Sequence, residues 1–215
     1  MVEMSDNTKS ISFFCPAFNE EENLEKAVSS ILPVLKDIGA EFEIIIVDNC
    51  STDRTPQIAD QFAKDIPRLR VIHNEVNKGY GGALITGFKA ARNDIVAYTD
   101  SDNQYDFNEF RKLIPYLDNY DVVIGYRLKR HDSVYRLAQS AIFNAIVTLF
   151  FGTKFRDINC SFKIYRKKVL DVMDIRSTSA FIDAEMLIKA SNNGYRIVEV
   201  PVTHFKRQAG DGFRH

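Results

Sequence analysis

The 215-residue sequence is poor in cysteine, with only three, and none of them forms a CxxC pair. An odd number of widely separated cysteines argues against a disulfide framework or a zinc site and fits a reducing compartment. The sequence also has no excess of either charge, since 28 Lys and Arg residues oppose 29 Asp and Glu residues for a net charge of −1. A basic field that would attract nucleic acid is therefore missing, and we expect no nucleic-acid partner.

Long apolar stretches are absent as well. Residues 1–10 are polar and lack the apolar region of a secretory signal, and no run of about 18 strongly apolar residues occurs. We therefore expect no membrane-spanning helix and a cytoplasmic location, with peripheral contact to the cytosolic face of a membrane left open. The length suits one α/β domain with a single core.

Strand-like apolar runs alternate with helical stripes over the first 125 residues. The predicted strands are Ile11–Cys15, Glu43–Asp48, Leu69–His73, Ile95–Thr99 and Val122–Gly125, separated by a helix that stops at Gly39 and by helices at Asp53–Ala63, Gly81–Arg92 and Asn108–Leu117. The later pattern is less regular, with an apolar helix at Tyr135–Phe151, a β segment at Phe162–Tyr165, a helix from Asp183 and a strand at Arg196–Val202. This alternation predicts βαβ units and hence the α/β class, with a Rossmann-like, mostly parallel sheet flanked by helices.

Polar clusters follow three of the predicted strands. They span Pro16–Glu20, Asp48–Asp53 and Asp100–Gln104. Because the carboxyl ends of parallel strands meet at one edge of a sheet, the three clusters should converge on one crevice. A single cluster of this kind is a weak signal, and it is the convergence that predicts a ligand site.

Asp100 and Asp102 are two residues apart, so in an extended segment both carboxylates face the same way. Two negative charges so near each other are unfavourable unless a cation neutralises them. Carboxylate oxygens are suitable ligands for Mg²⁺ or Mn²⁺. The remaining coordination sites of such an ion would hold diphosphate oxygens. The alternative is a plain turn, because Asp-Ser-Asp-Asn is rich in turn-forming residues.

Among the other polar residues, Asp48 has one interpretation, whereas Asp53, Glu20 and the segment Asn77–Gly82 each have two. Asp48, at the end of a strand, can accept hydrogen bonds from a base or a ribose, as the acidic residue of a dinucleotide fold does. Asp53 either takes part in the same site or caps the following helix, and Glu20 either binds a ligand or belongs to an acidic first helical turn. The glycine-rich segment Asn77–Gly82 matches neither GxGxxG nor a Walker loop, so it either approaches a ligand or serves helix packing.

In this order and spacing, the segments Pro-Ala-Phe-Asn-Glu, Val-Asp-Asn-x-Ser-x-Asp-x-Thr, Asn-x-Gly-x-Gly and Asp-Ser-Asp-x-Gln resemble the motifs of family 2 glycosyltransferases. Within that family the sequence is most similar, from Ser10 onward, to the enzymes that transfer sugars to dolichyl or polyprenyl phosphate. The resemblance implies a GT-A fold, a Mg²⁺ or Mn²⁺ ion, an inverting mechanism, a UDP- or GDP-sugar donor and a polyprenyl phosphate acceptor. With it we expect a polar tail over 1–9 and one domain over 10–215, divided into a nucleotide-sugar half at 10–125 and an acceptor half at 126–215.

The same resemblance implies roles for individual residues. Contacts to the nucleotide-sugar fall on Pro16, Ala17, Phe18, Glu20, Asp48, Asp53, Lys78 and Ser101. Metal ligands fall on Asp100, Asp102 and Gln104, and contacts at the reaction centre fall on Asp102, Arg127, Asp157 and Arg207. The segment Asp157–Lys163 matches one that lines the reaction centre in the family, except that Ser161 and Lys163 replace the usual glycine and arginine. Tryptophan is absent, so the Gln-x-x-Arg-Trp signature of processive synthases is missing.

The acceptor decides how much base catalysis is needed. A phosphate is already anionic at neutral pH and needs little general base, whereas a sugar hydroxyl needs a carboxylate to take its proton. Asp157 and Asp183 are the candidates for that base, unless Asp157 orients a basic residue and Asp183 caps its helix. Three other functions remain open at this stage: a soluble family 2 transferase that acts on a saccharide hydroxyl, a sugar-phosphate nucleotidyltransferase, and a non-catalytic nucleotide-sugar-binding module.

The apolar helix Tyr135–Phe151 bears on the same question. No charged residue occurs from Leu137 to Thr153, and several basic residues precede this stretch. Such a helix can lie in a membrane interface beside anionic headgroups. The alternative is a helix buried in the core or in a dimer interface, because apolar periodicity does not separate these cases.

Overall fold

The computed structural model describes residues 10–38, 41–128, 142–149, 152, 155–207 and 209. Three predictions fall wholly or partly outside these residues. They are the polar tail over 1–9, the helix stop at Gly39 and the greater part of the apolar helix Tyr135–Phe151.

Seven strands make up the sheet. Their bounds are β1 Ile11–Ala17, β2 Phe42–Asp48, β3 Leu69–His73, β4 Ile95–Tyr98, β5 Val122–Arg127, β6 Lys163–Arg166 and β7 Ile197–Val202. The strand order is β3-β2-β1-β4-β6-β5-β7. Strand β6 runs antiparallel to β4 and β5, and the other neighbouring pairs are parallel. The predicted α/β class and the mostly parallel sheet are confirmed.

Helices cover both faces of the sheet. Their bounds are α1 Leu24–Ile38, α2 Thr55–Asp65, α3 Gly79–Ala90, α4 Phe110–Leu113, α5 142–149, α6 Lys167–Asp171 and α7 Ile182–Asn192. Alternate side chains of β1 point to opposite faces, so Phe13 joins the core that contains α1, and Phe14 joins the core that contains α3 and α7. Burial on both faces explains why β1 and β2 are mostly apolar rather than alternating, with Ser12 and Glu43 as the polar exceptions near their starts. Among the helices that the structure describes, none is long and apolar enough to span a membrane.

The predicted helix Asn108–Leu117 is wrong as a single element. The chain there forms a 3₁₀ turn at Phe107–Glu109, the one-turn helix α4, and a second 3₁₀ segment at Ile114–Asp118. Pro115 lies in that second segment. Proline has no backbone N–H to donate to the carbonyl four residues earlier, which weakens an α-helix, but α1 continues through Pro33, so Pro115 alone does not account for the break.

Candidate active site

The three polar clusters meet at the carboxyl ends of β1, β2 and β4. The backbone N–H of Asn19 donates to Ser51 Oγ at 3.0 Å, and Asn19 Oδ1 accepts from the backbone N–H of Thr52 at 2.8 Å. On the other side, Ser101 Oγ donates to the Pro16 carbonyl at 2.9 Å. The predicted convergence is therefore found, with the Pro16–Glu20 cluster bonded to both of the others.

Each cluster contains one non-glycine residue with left-handed backbone geometry. The φ angles are 55° at Asn19, 65° at Cys50 and 58° at Asn103. Such residues are uncommon and concentrate where a binding site requires a particular loop shape. The hydrogen bonds between clusters hold these loops in that shape.

Asp48 is the most buried carboxylate of the second cluster, with 4% of its side chain exposed. Its Oδ1 accepts from the backbone N–H of Ser51 at 3.1 Å, and its Oδ2 lies 2.9 Å from His73 Nδ1. His73 Nε2 lies 3.1 Å from Asp60 Oδ1 on α2. The hydrogen bond to Asp48 raises the pKa of His73 and outweighs burial, which lowers it; the second contact, to Asp60, raises it further.

His73 was not predicted as a site residue. A single histidine at the end of a strand belongs to no recognisable motif. Its position in the predicted sheet, opposite Asp48, is the signal that could have identified it. Asp48 and His73 are the last residues of neighbouring parallel strands and are paired directly in the sheet.

The structure gives Glu20 and Asp53 different surroundings. Glu20 is buried, and its two oxygens accept from Asn23 Nδ2 at 2.6 Å and from Arg207 Nη2 at 2.7 Å. Both oxygens of Asp53 accept from backbone N–H groups, those of Glu21 at 3.1 Å and Thr55 at 2.9 Å. Asp53 therefore stabilises the turn that leads into α2, one residue before the N-cap residue Arg54 rather than at the N-cap position itself.

Asp100 and Asp102 are neighbouring carboxylates whose charges the protein compensates in part. Tyr80 and Ser161 donate to Asp100, and Arg207 lies 3.3 Å from Asp102. Asp100 is partly exposed, yet its Oδ1 atom is buried without a hydrogen-bond partner among the described residues. Burial, followed by the charge of Asp102, raises the pKa of Asp100, and burial likewise raises the pKa of Asp102. A divalent cation would compensate both charges and would satisfy the bare oxygen.

A metal ion held here would need ligands from the donor as well. The part of the chain that the structure describes contains no group of three or more His, Cys, Asp or Glu side chains arranged to hold a metal. Two carboxylates leave most coordination positions of Mg²⁺ or Mn²⁺ for phosphate oxygens and water, which is how such ions commonly bind at nucleotide sites. The residues present therefore fit a metal that is bound together with a diphosphate.

The segment after β7 closes over this site. The backbone N–H of Phe205 donates to the Gln104 carbonyl at 2.7 Å, and Gln104 Nε2 donates to the Phe205 carbonyl at 3.2 Å. The guanidinium of Arg207 stands between two carboxylates, 2.7 Å from Glu20 Oε1 and 3.3 Å from Asp102 Oδ2. Gln104 thus anchors the closing segment, and Arg207 supplies positive charge next to the metal candidates.

The glycine-rich segment packs against protein at Gly81, and it is also bonded to the second polar cluster, where the backbone N–H of Lys78 donates to Asn49 Oδ1 at 3.2 Å. A side chain at Gly81 would collide with the backbone of Ser177 and Thr178, and its own N–H donates to the Thr178 carbonyl at 2.9 Å. Lys78 Nζ donates to Asn74 Oδ1 at 2.8 Å. These contacts favour the packing alternative for the glycines and leave the predicted donor contact of Lys78 without support from its geometry.

Asp157 and Arg127 form a forked ion pair. Arg127 Nε lies 2.6 Å from Asp157 Oδ2, and Nη2 lies 2.7 Å from Oδ1, with both side chains less than one tenth exposed. Burial would lower the pKa of Arg127, but the hydrogen bonds to Asp157 raise it. Asp157 therefore orients a basic residue, as one of the two sequence readings has it.

Lys163 does not line the reaction centre, although the resemblance of Asp157–Lys163 to the family segment implied that it would. Its side chain is fully buried and forms an ion pair with Asp183, which also accepts a hydrogen bond from Tyr98 Oη at 2.6 Å. Burial and the nearby Asp183 charge hold the pKa of Tyr98 well above its usual value, so the phenol remains a donor. The lysine side chain reaches this buried acid, so the Lys163 ammonium itself is not available to contact a phosphate.

Comparison with known proteins identifies the relatives of this chain. Residues 12–173 match the family model described as glycosyl transferase family 2. Glycosyltransferase AglD of Haloferax volcanii is 31% identical over 202 residues, which cover 89% of this chain and 32% of that protein. The undecaprenyl-phosphate 4-deoxy-4-formamido-L-arabinose transferase of Pectobacterium carotovorum is 32% identical over 211 residues, which cover 96% of this chain and 63% of that protein. The chain thus spans less than two thirds of the length of either relative.

Solved structures agree on the fold. Glucosyl-3-phosphoglycerate synthase from Mycobacterium tuberculosis, in complex with Mn²⁺, UDP and glucosyl-3-phosphoglycerate, aligns with a TM-score of 0.74 at 21% identity, over 94% of this chain and 73% of that one. Likeness at this identity shows the fold, which is GT-A as the motifs implied. Since the family match extends over well more than half of the sequence, the chain belongs to the family 2 glycosyltransferases.

Proposed function

We propose that this chain is the transferase domain of an enzyme that moves a sugar from a nucleotide-sugar to a polyprenyl phosphate, with a divalent metal ion and inversion at the anomeric carbon. The acceptor class is supported by the name of the Pectobacterium relative, an undecaprenyl-phosphate sugar transferase. The donor class is supported by the mycobacterial neighbour, which binds UDP with Mn²⁺. We propose UDP rather than GDP as the nucleotide for that reason.

The observation that carries the acceptor assignment is that both candidate bases are already paired with cations. Asp157 is held by Arg127 through two hydrogen bonds, and Asp183 is held by the buried Lys163. A carboxylate fixed in this way is poorly placed to take a proton from a sugar hydroxyl. An acceptor phosphate is anionic from the start and avoids that requirement.

The remaining residues divide between donor binding and charge stabilisation. Asp48 and Glu20 face the crevice as hydrogen-bond acceptors for the nucleoside, and Pro16–Phe18 supply the wall at the end of β1. When bound, a Mg²⁺ or Mn²⁺ ion would be held by Asp102 with help from Asp100 and Gln104, and would neutralise charge on the departing diphosphate as a Lewis acid. Arg127 and Arg207 are the protein cations that add charge-assisted hydrogen bonds to the same leaving group.

We further propose that helix α5 contacts the membrane that holds the acceptor. Ile142, Ile146 and Leu149 share one face of this helix and are 61%, 48% and 80% exposed. Phe143 and Val147 point the other way and pack against the core. This exposed apolar face supports contact of the helix with a membrane rather than its full burial in the core. Apolar burial in the headgroup region suits the lipid acceptor.

Two assays test this function. Thermal stabilisation by a panel of UDP- and GDP-sugars with Mn²⁺ identifies the donor, because a ligand that binds the native state raises its apparent stability. Radiolabel from the selected donor should then pass into organic-extractable lipid when undecaprenyl phosphate is supplied in vesicles. Label that stays in the donor with lipid phosphate, but enters added saccharides, would contradict the proposal.

A further inference from the structure

We propose that His73 is a positioning residue for the donor, which, in its doubly protonated form, holds the Asp48 carboxylate in place to receive the nucleoside. The inference rests on the proposed role of Asp48 in donor binding. It adds a residue that neither the sequence motifs nor the family comparison assigned, and it ties donor affinity to the protonation of one imidazole.

The geometry places His73 between two carboxylates on two different elements. Asp48 approaches Nδ1 from β2 at 2.9 Å, and Asp60 approaches Nε2 from α2 at 3.1 Å. Asp48 and Asp60 are the charged groups with the largest effects on the pKa of His73. Asp48 is almost wholly buried, whereas the side chains of His73 and Asp60 are 43% and 55% exposed. The imidazole therefore links a buried acid to a solvent-exposed one.

Only one protonation state satisfies both contacts. A neutral imidazole has a single N–H, so one of its nitrogens would turn a lone pair toward a carboxylate oxygen. The imidazolium has two N–H groups and donates to both. The raised pKa of His73 is consistent with this arrangement, since the hydrogen bond to Asp48 outweighs the effect of burial.

Protonation should matter more once the donor is bound. Asp48 is only 4% exposed even without a nucleoside over it. A bound nucleoside would remove the remaining water, so the negative charge of Asp48 would then be stabilised by protein groups alone. When His73 loses its proton, the exposed Asp60 forms hydrogen bonds to water instead. The ring then keeps its hydrogen bond to Asp48 but carries no positive charge. We expect donor affinity to fall by roughly three- to fivefold, the range for a partly exposed ion pair. By reciprocity, donor binding should raise the pKa of His73.

The experiment measures the affinity for UDP-glucose with Mn²⁺ by calorimetry from about pH 6 to about pH 8, the range in which histidine titrates. UDP-glucose has no group that titrates in this range. His73→Gln should bind more weakly than wild type at the lowest pH, and the ratio of wild-type to variant affinity should fall as pH rises through the pKa of His73. The ratio isolates the imidazole, because Asp100, whose pKa burial raises to about 7, titrates in the same range in both proteins and favours metal binding as it loses its proton. Asp60→Asn removes the second carboxylate, so it should move the midpoint of this fall to lower pH.

A matched control separates local from general charge effects. Asp65 lies on the same helix as Asp60, is exposed, and accepts a hydrogen bond from Gln61 rather than from His73. Asp65→Asn should leave the midpoint at the wild-type value. NMR titration of the His73 ring, with and without UDP-glucose, should show the pKa rising when the nucleotide binds.

Three results would overturn the inference. One is a His73→Gln variant that keeps wild-type affinity and pH dependence. Another is an Asp60→Asn midpoint equal to that of Asp65→Asn, which does not depend on how well the His73 variant folds. The third is absence of UDP-glucose binding by wild type at every pH, which would contradict the donor assignment itself and is distinguishable from the first two.

Discussion

Replacing Asp183 with Asn should destabilise the fold strongly, and removing the charge of Lys163 at the same time should restore most of the loss. The two side chains are 4% and 0% exposed and form an ion pair behind the reaction centre. Asp183→Asn leaves the Lys163 ammonium buried without a counter-charge. Removing one partner of a buried pair costs roughly 3–5 kcal/mol.

The double variant Lys163→Met, Asp183→Asn removes both charges and keeps an acceptor for Tyr98, which donates to Asp183 at 2.6 Å. Exchange of a buried pair for uncharged groups of similar volume is often close to neutral. For a chain of this size each kcal/mol lowers Tm by roughly 2–4 °C, so Asp183→Asn should melt about 6–20 °C below wild type. The double variant should recover most of that difference.

Urea unfolding followed by circular dichroism measures both variants, and the double-mutant cycle isolates the coupling between the two sites. Transfer activity then decides the role of Asp183. If its carboxylate were the general base, the double variant would be as inactive as Asp183→Asn although folded. An active, stable double variant is what the structural role predicts. A single variant of wild-type stability would refute the ion-pair reasoning.

Other changes test the metal, the donor and the membrane face. Asp102→Asn should abolish Mn²⁺-dependent donor binding and transfer with a native circular dichroism spectrum, and unchanged Mn²⁺ dependence would contradict the metal assignment. Asp48→Ala should mainly raise the KM for donor, because it removes binding made equally in the ground and transition states, and calorimetry with unchanged affinity would refute that role. Ile142→Ser with Ile146→Ser should reduce flotation with anionic vesicles at low salt without loss of stability, since both side chains are about half exposed or more. Val147→Ser, at 2% exposure, is the contrasting control and should cost roughly 2 kcal/mol of stability.

The sheet was predictable because its strands are recognisable in the sequence. Strands such as β1 and β2 are mostly apolar and end in polar clusters, and parallel topology then places those clusters together. The resulting convergence of Pro16–Glu20 with Asp100–Gln104 is found in the structure through the Ser101 bond to the Pro16 carbonyl. Periodicity alone missed the division of Phe107–Asp118 into two 3₁₀ segments and a one-turn helix.

Contacts between distant residues were not predictable from single positions. The pairing of Lys163 with Asp183 depends on how α7 packs over β6, and a charged residue inside an apolar strand does not reveal its partner. His73 is similar, since its meaning comes from its register with Asp48. The collision that Gly81 avoids involves the backbone of Ser177 and Thr178, almost a hundred residues away in the sequence. These contacts arise from long-range packing, which local sequence patterns do not reveal.

The most direct test of the central claim compares two acceptors that differ by one group. Undecaprenyl phosphate and undecaprenol have the same lipid chain, and only the first presents an anionic oxygen that needs no general base. With a radiolabelled UDP-sugar and Mn²⁺, we predict label in the lipid fraction with undecaprenyl phosphate, its loss in EDTA, and none with undecaprenol. Equal transfer to undecaprenol, or transfer to free saccharides in preference to the lipid phosphate, would contradict the account.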